Sequence, residues 1–180
     1  MNWIQEFDMN VLHNIHYYTQ NHIFDKIMPW ITFLGDKGLV WIIFCILLLL
    51  SKKYRKVGCL ALCALVISSV LGEGIFKHLF KRPRPFLQLP NLQLLISKPT
   101  TYSFPSGHTS SSFAVAGVLF NKLKRFRKTI LFIAFLIAFS RLYLFVHYPS
   151  DVLAGVVLGV GSAMFVINLD HKKVLFGKNY

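Results

Sequence analysis

The chain has 180 residues, of which 54% are hydrophobic, and it carries a net charge of +13 with only 7 acidic residues. That apolar content excludes an ordinary soluble domain and points to an integral membrane protein of one domain's length. The positive charge does not imply nucleic acid, because Lys and Arg fall in short clusters between apolar runs and build no continuous basic face.

Residues 1–20 mix Gln5, Glu6, Asp8, Asn10 and His13 with apolar residues, a pattern that does not read as a cleavable signal peptide. Trp3, Ile4, Phe7, Val11, Leu12 and Ile15 recur at helical spacing and predict an amphipathic helix on a membrane surface or against a bundle. Residues 23–34 are apolar but too short to span alone, and Gly35-Asp36-Lys37-Gly38 closes them, so the expectation is re-entrant or interfacial packing. Five crossings follow, over residues 39–50 (extended by Gly38 and snorkelling Lys52 and Lys53), 57–76, 104–123, 129–146 and 152–169. Gly155, Gly159, Gly161 and Ala163 give the last one a small-residue face for close helix contact. Cys45, Cys59 and Cys63 lie inside these apolar runs and read as small buried hydrophobes.

The expected fold is an all-α integral membrane protein. One domain covers residues 1–180: an N-terminal amphipathic or interfacial region (1–37), a bundle of five or six transmembrane helices (38–169) and a cytoplasmic tail (170–180). Twelve of the 20 basic residues fall in residues 52–56, 122–128 and the C-terminal tail, which share one side if the five crossings hold. The positive-inside rule makes that side cytoplasmic. The extracytoplasmic face then receives the N-terminal region, residues 77–109 and the junction at His147.

Three polar clusters gather at that face. The first runs from Lys77 through Lys81, Arg82 and Arg84 to Pro85, the second is Pro105-Ser106-Gly107-His108, and the third is Ser140 to Asp151. Charge at the end of an apolar segment is costly and marks function. Lys77, Arg84 and Arg141 supply cations, His108 and His147 titrate near neutrality, and Asp151 supplies a carboxylate, an inventory that suits a phosphoryl group in transfer. Pro105 breaks the preceding structure and Ser106 can cap a helix whose first amides point at an anion. Pro149 suits the first turn of the last helix, so Asp151 can hold one nitrogen of His147 while the other faces the site as a nucleophile. His108 is then free to protonate the leaving oxygen. Glu73, four residues before Lys77, can pair with it and position it. Arg82 and Lys81 read equally as headgroup or surface contacts, and His13, His16, His22, His78 and His171 as surface or interfacial residues. Taken singly, each cluster also admits a bland reading: interfacial anchors, a turn with a cap, a structural hydrogen bond at a helix start.

Together, Lys77 with six residues to Arg84-Pro85, Pro105-Ser106-Gly107-His108, and Ser140-Arg141 with five residues to His147 and three more to Asp151 resemble the three signature motifs of type 2 phosphatidic acid phosphatases. The resemblance implies a six-helix fold in most members, a phosphohistidine intermediate, no metal or other cofactor, and dephosphorylation of lipid phosphates or diphosphates at a membrane surface. It implies His147 as nucleophile, Asp151 as its orienting partner and His108 as general acid, with Lys77, Arg84, Arg141, Ser106 and Gly107 holding the phosphate. Glu73 and Asp151 are the only carboxylates near the clusters in sequence, too few for a magnesium cage. The five crossings depart from the family's six, as if the family's first helix were absent or replaced by the N-terminal region.

The reading favoured here is a multi-pass cell-membrane phosphatase with an extracytoplasmic site. Its compact form resembles bacterial undecaprenyl diphosphate phosphatases. Phosphatidylglycerol phosphate, phosphatidic acid and lipid A phosphate remain alternative substrates, since the motifs read phosphate and not the lipid body. The same constellation resembles vanadium haloperoxidases, which are soluble, and five crossings argue against that. A non-catalytic lipid-phosphate binder would need the cations but not an oriented nucleophile. The linker 86–102 is short, and its Leu89, Leu92, Leu94, Leu95 and Ile96 suit a lipid-facing entrance.

Overall fold

The computed structural model describes residues 3–89 and 91–172, and among them the regular secondary structure is helical, with no strand. Helix α1 (Trp3–Thr19) buries Asp8, Met9 and Leu12 and exposes Trp3, Phe7, Tyr17 and Tyr18. Its apolar buried face packs on Phe145 and Tyr148, so the amphipathic helix expected from its periodicity docks against the bundle. The edge of the His16 ring meets the Phe145 ring at 5.0 Å, which gives this histidine the packing partner that its sequence context did not suggest.

Helix α2 (His22–Gly35) is capped by Asn21, whose side chain accepts from the N–H groups of Ile23 and Phe24, each at 3.0 Å. A 3₁₀ turn over Asp36–Gly38, with Lys37 (φ 50°) and Gly38 (φ 72°) in the left-handed region, leads into α3 (Leu39–Leu50). Residues 23–34 are therefore not a separate interfacial piece. Joined to α3 they form a broken 29-residue segment, His22–Leu50, long and apolar enough to cross a bilayer. Its direction follows from its partners. Tyr143 donates to Asp25 and Arg141 to Thr32, whereas Trp41 Nε1 donates to Ser112 Oγ at 2.8 Å and the Cys45 carbonyl faces Gly58 nearer the other end.

Helix α4 (Arg55–Ser69) continues through a π-helical stretch, Val70–Phe76, into α5 (Lys77–Phe80). Helices α6 (Gly107–Lys122), α7 (Arg127–Tyr143) and α8 (Pro149–His171) complete the bundle. Among the described residues, three segments are long and apolar enough to cross a membrane: His22–Leu50, Arg55–Gln88 and Pro149–His171. Helices α6 and α7, of 16 and 17 residues, are shorter than the roughly 20 that a bilayer core asks for. Helix α6 sits at the centre, with Ala114, Val115, Ala116, Val118 and Leu119 fully buried among α4, α7 and α8. Around it, Ile43, Leu47, Phe132, Phe135, Val157 and Phe165 are exposed, a belt that is stable in lipid and a liability in water.

Lys56 and Lys122 both pair with Asp170, at 2.7 and 3.1 Å, so the basic turns after α3 and α6 share one end of the bundle with the end of α8. The tail from residue 173 onward lies outside the described residues.

Three of the four small residues expected on the last helix do meet α6. A Cβ on Gly159 would stand 2.5 Å from the Ser110 carbonyl oxygen, one on Gly155 would stand 2.9 Å from that of Ser106, and the Ala163 methyl lies against Gly117. Gly161 is the exception, since a Cβ there meets nothing within 4 Å. Gly159→Ala should therefore destabilise the protein by about 1–3 kcal/mol through overpacking. Gly161→Ala should be neutral or stabilising by up to about 1 kcal/mol, the helix-propensity gain. Thermal unfolding in detergent distinguishes the two, and equal effects would contradict this packing.

Candidate active site

Opposite the Asp170 end, a cavity of about 850 Å³ opens among α2, the α4–α5 segment, α6, α7 and the linker before α6. Lys77, Arg84, Gly107, His108, Arg141 and His147 all line it, together with Glu73. Residues far apart in the chain thus converge on one space of ligand-pocket size.

The three cations are held by different devices. Lys77 leaves the π-helical stretch one turn after Glu73 and meets both its carboxylate oxygens at 2.8 Å, with Thr101 Oγ1 at 3.1 Å. The expected ion pair is present. Arg84 donates to the Thr101 carbonyl at 2.7 Å, the Val146 carbonyl at 2.8 Å and the Tyr102 carbonyl at 3.2 Å. Its guanidinium is thereby fixed by backbone oxygens, and Thr101 Oγ1 ties it to Lys77. Arg141 is buried; it donates through Nη1 to Thr32, and its Nε has no protein partner.

The turn from α7 to α8 delivers His147. The Arg141 carbonyl accepts from the N–H groups of both Val146 and His147 at 3.3 Å, and Phe145 adopts a left-handed backbone (φ 54°) that a non-glycine residue takes up only where its surroundings impose it. Pro149 opens α8 as expected. His147 is 1% exposed, and its Nε2 lies 3.2 Å from Arg84 Nη1. Burial first, and then the charges of Arg84, Arg141 and Lys77, hold its imidazole well below the ordinary range, so the ring is neutral at physiological pH.

Asp151 does not hydrogen-bond His147 as the spacing suggested. The gap between Nδ1 and Oδ2 is 3.6 Å, and Nδ1 has no hydrogen-bond partner. The reason is competition for the carboxylate. Oδ2 accepts from the Tyr148 N–H at 2.9 Å, capping α8, and Oδ1 accepts from Arg82 Nη1 at 2.7 Å.

Ser106 caps α6 as expected but departs from the expectation that it faces the phosphate. It is fully buried, its N–H donates to the Asp151 carbonyl at 3.1 Å and its Oγ accepts from Thr109, so it caps α6 and does not face the cavity. The first-turn amides that remain without intrahelical partners and beside the cavity are those of Gly107 and His108. A Cβ on Gly107 would lie 2.1 Å from a Glu73 carboxylate oxygen, so a side chain there would require the end of Glu73, which pairs with Lys77, to move.

Two carboxylates were missed. Asp36, in the break between α2 and α3, meets His108 Nε2 at 2.8 Å, and Asp8 of α1 pairs with Arg82 at 2.7 Å. Glu73 and Asp151 are therefore not the only carboxylates near the clusters, although among the described residues no three His, Cys, Asp or Glu side chains converge as metal ligands. The signal for Asp36 was its place in a polar turn between two apolar runs; nothing local marked Asp8. Of the linker residues, Leu92, Leu94 and Ile96 pack over Phe86, Tyr143 and Val146, Leu89 packs beside α1 and Phe145, Ile96 also lines the cavity, and Leu95 is largely exposed.

Comparison with known proteins accords with this arrangement. The chain is 39% identical over 116 residues to the bacitracin transport permease protein BcrC of Bacillus licheniformis, an alignment covering 64% of this chain and 57% of that protein. It is 36% identical over 132 residues to an undecaprenyl-diphosphatase of Sulfolobus acidocaldarius, covering 73% of this chain and 64% of the relative. The matched part thus spans less than two thirds of either relative. The crystal structure of the transmembrane PAP2-type phosphatidylglycerolphosphate phosphatase from Bacillus subtilis superposes with a TM-score of 0.78 at 25% identity, covering 98% of this chain and 90% of that one. Because the model of the PAP2 superfamily matches residues 58–175, a stretch that holds all three motifs, this chain belongs to the PAP2 superfamily.

Proposed function

We propose that the protein is a metal-independent membrane lipid phosphatase that works through a phosphohistidine at His147. The observation that carries this reading is the contact of Arg84 Nη1 with His147 Nε2 at 3.2 Å. A guanidinium nitrogen can only donate, so Nε2 must present its lone pair, and in a neutral ring the proton then sits on Nδ1, facing Asp151. That is the tautomer a nucleophilic Nε2 requires.

In this mechanism Lys77, Arg84, Arg141 and the Gly107 and His108 amides bind the equatorial phosphoryl oxygens. Nε2 of His147 attacks phosphorus in line, the bond to the leaving oxygen breaks, and that oxygen takes a proton from His108. Asp36 occupies Nε2 of His108, so the transferred proton comes from the other ring nitrogen. As His147 becomes cationic, the field of Asp151 across the 3.6 Å gap supports the charge. Water then attacks phosphohistidine, gives its proton to His108 and releases phosphate. A pure binder would need the cations without the orientation of His147.

The favoured substrate is undecaprenyl diphosphate, cleaved to undecaprenyl phosphate, which the name of the Sulfolobus relative supports. Phosphatidylglycerol phosphate is the second reading, because the Bacillus subtilis phosphatase matches 98% of this chain. We read five crossings, α2–α3, α4–α5, α6, α7 and α8, in a cell membrane with the site on the extracytoplasmic face. The basic turns gathered at the Asp170 end support that orientation.

Phosphate release from a panel of lipid phosphates in detergent should persist in EDTA and fall by at least about a thousandfold in His147→Ala. Full activity of that variant overturns the mechanism, and loss on chelation overturns metal independence. In ¹⁵N-histidine spectra, the signals that vanish in His147→Gln should report the Nδ1–H tautomer and stay untitrated from about pH 7.5 to 5.5, because a lowered pKa keeps the ring neutral until well below the ordinary value of about 6.5. A midpoint near that ordinary value would contradict the burial described. For orientation, a cysteine at Lys124 should resist an impermeant thiol reagent in intact cells while one at Lys98 reacts, and the reverse pattern would invert the topology.

A further inference from the structure

Asp8 is 1% exposed on a helix whose remaining buried face is Met9 and Leu12. A carboxylate in that setting needs dedicated partners. Its Oδ1 accepts from the Ser150 N–H at 3.0 Å, and its Oδ2 accepts from Ser150 Oγ–H and from Arg82 Nη2, the latter at 2.7 Å. The other arm of the same guanidinium, Nη1, donates to Asp151 Oδ1 and Ser150 Oγ, both at 2.7 Å. The guanidinium carbon lies 3.9 Å from the centre of the Tyr148 ring. One planar cation thus joins a carboxylate on the N-terminal helix to the carboxylate beside His147, and it rests on the Tyr148 ring.

We infer that Asp8 and Arg82 are positioning residues for the reaction at His147, acting through Asp151. This rests on the reading of His147 as nucleophile with Asp151 behind it. Two physical effects follow from the geometry. The planar fork of Arg82 together with the α8 cap fixes both oxygens of Asp151, so that Oδ2 stays aimed at Nδ1 of His147. Asp8 also divides the charge of Arg82. With two carboxylates sharing one guanidinium, Asp151 keeps an unneutralised share of its negative charge for the imidazolium that forms in transfer. Without Asp8, Arg82 would pair with Asp151 alone and weaken the field that His147 feels. The N-terminal helix is on this account a part of the catalytic support and not only a membrane anchor.

The test uses the full chain in detergent, with kcat, KM, melting temperature and the ¹⁵N signals of His147 measured for Asp8→Asn, Arg82→Gln, Arg82→Lys and the packing control Met9→Ala. Asp8→Asn and Arg82→Gln should lower kcat by about ten- to a hundredfold with KM within about twofold, as for a misplacement behind the reacting group. Both should shift the Nδ1 signal of His147, and Arg82→Lys should recover part of the kcat. Met9→Ala should lower the melting temperature while kcat and the His147 signals stay as in the wild type. The inference is overturned if Asp8→Asn keeps kcat within twofold, or if Met9→Ala matches its kcat loss at an equal drop in melting temperature. Should the Asp8 variant not fold, Arg82→Gln against Arg82→Lys reads the same effect. A wild type that releases no phosphate sinks the underlying reading, whereas an active wild type with an equally active Asp8→Asn sinks only the positioning role.

Discussion

Three positive side chains, Lys77, Arg84 and Arg141, face one cavity at the end of an apolar helical bundle, and each is nearly buried. Like charges removed from water repel strongly and are stable only where fixed oxygens compensate them. The chain meets that demand unequally. Glu73 compensates Lys77, backbone carbonyls hold Arg84, and Arg141 has Thr32 with its Nε left unpartnered. The region therefore stays electropositive, which is a standing attraction for an anion with several oxygens. Burial first, and then the same field, keep the imidazole of His147 neutral.

The packing of the bundle is what lets these groups meet. Helix α8 approaches α6 closely only because Gly155 and Gly159 present no side chains to its backbone, and the N–H of Ser106 at the head of α6 bonds the carbonyl of Asp151 at the head of α8. The two helix starts are thus tied to each other, and with them the His108 and His147 sides of the cavity. The break at Asp36–Gly38 has a comparable effect on the other wall. A continuous helix there would have no turn from which Asp36 could reach His108, and the left-handed backbone at Lys37 and Gly38 makes that turn.

Arg82 shows how a short repeat can mislead. Arg82-Pro83 and Arg84-Pro85 look alike in sequence, and only Arg84 has the motif spacing from Lys77. In the folded chain Arg84 faces the cavity, whereas Arg82 lies behind it between Asp8 and Asp151. Two residues apart, the two arginines serve different layers around the same cavity.

The sequence by itself determined the helical class, the amphipathic start, the three clusters and six of their residues that line one cavity, Lys77, Arg84, Gly107, His108, Arg141 and His147, because apolar periodicity and the spacing of charges at helix ends are local properties. It also predicted the Glu73–Lys77 pair, which needs only one helical turn. Tertiary structure decided what depends on contacts between distant segments. It joined residues 23–34 to α3, buried Ser106 away from the cavity, and turned Gly161 away from the α6–α8 seam. It also brought Asp36 to His108 across 72 positions, and Asp8 to Ser150 across 142. A carboxylate's partner at that range leaves no periodic trace in the chain. Only the geometry of the packed bundle shows that Asp151 is shared between a helix cap, an arginine and the histidine it faces.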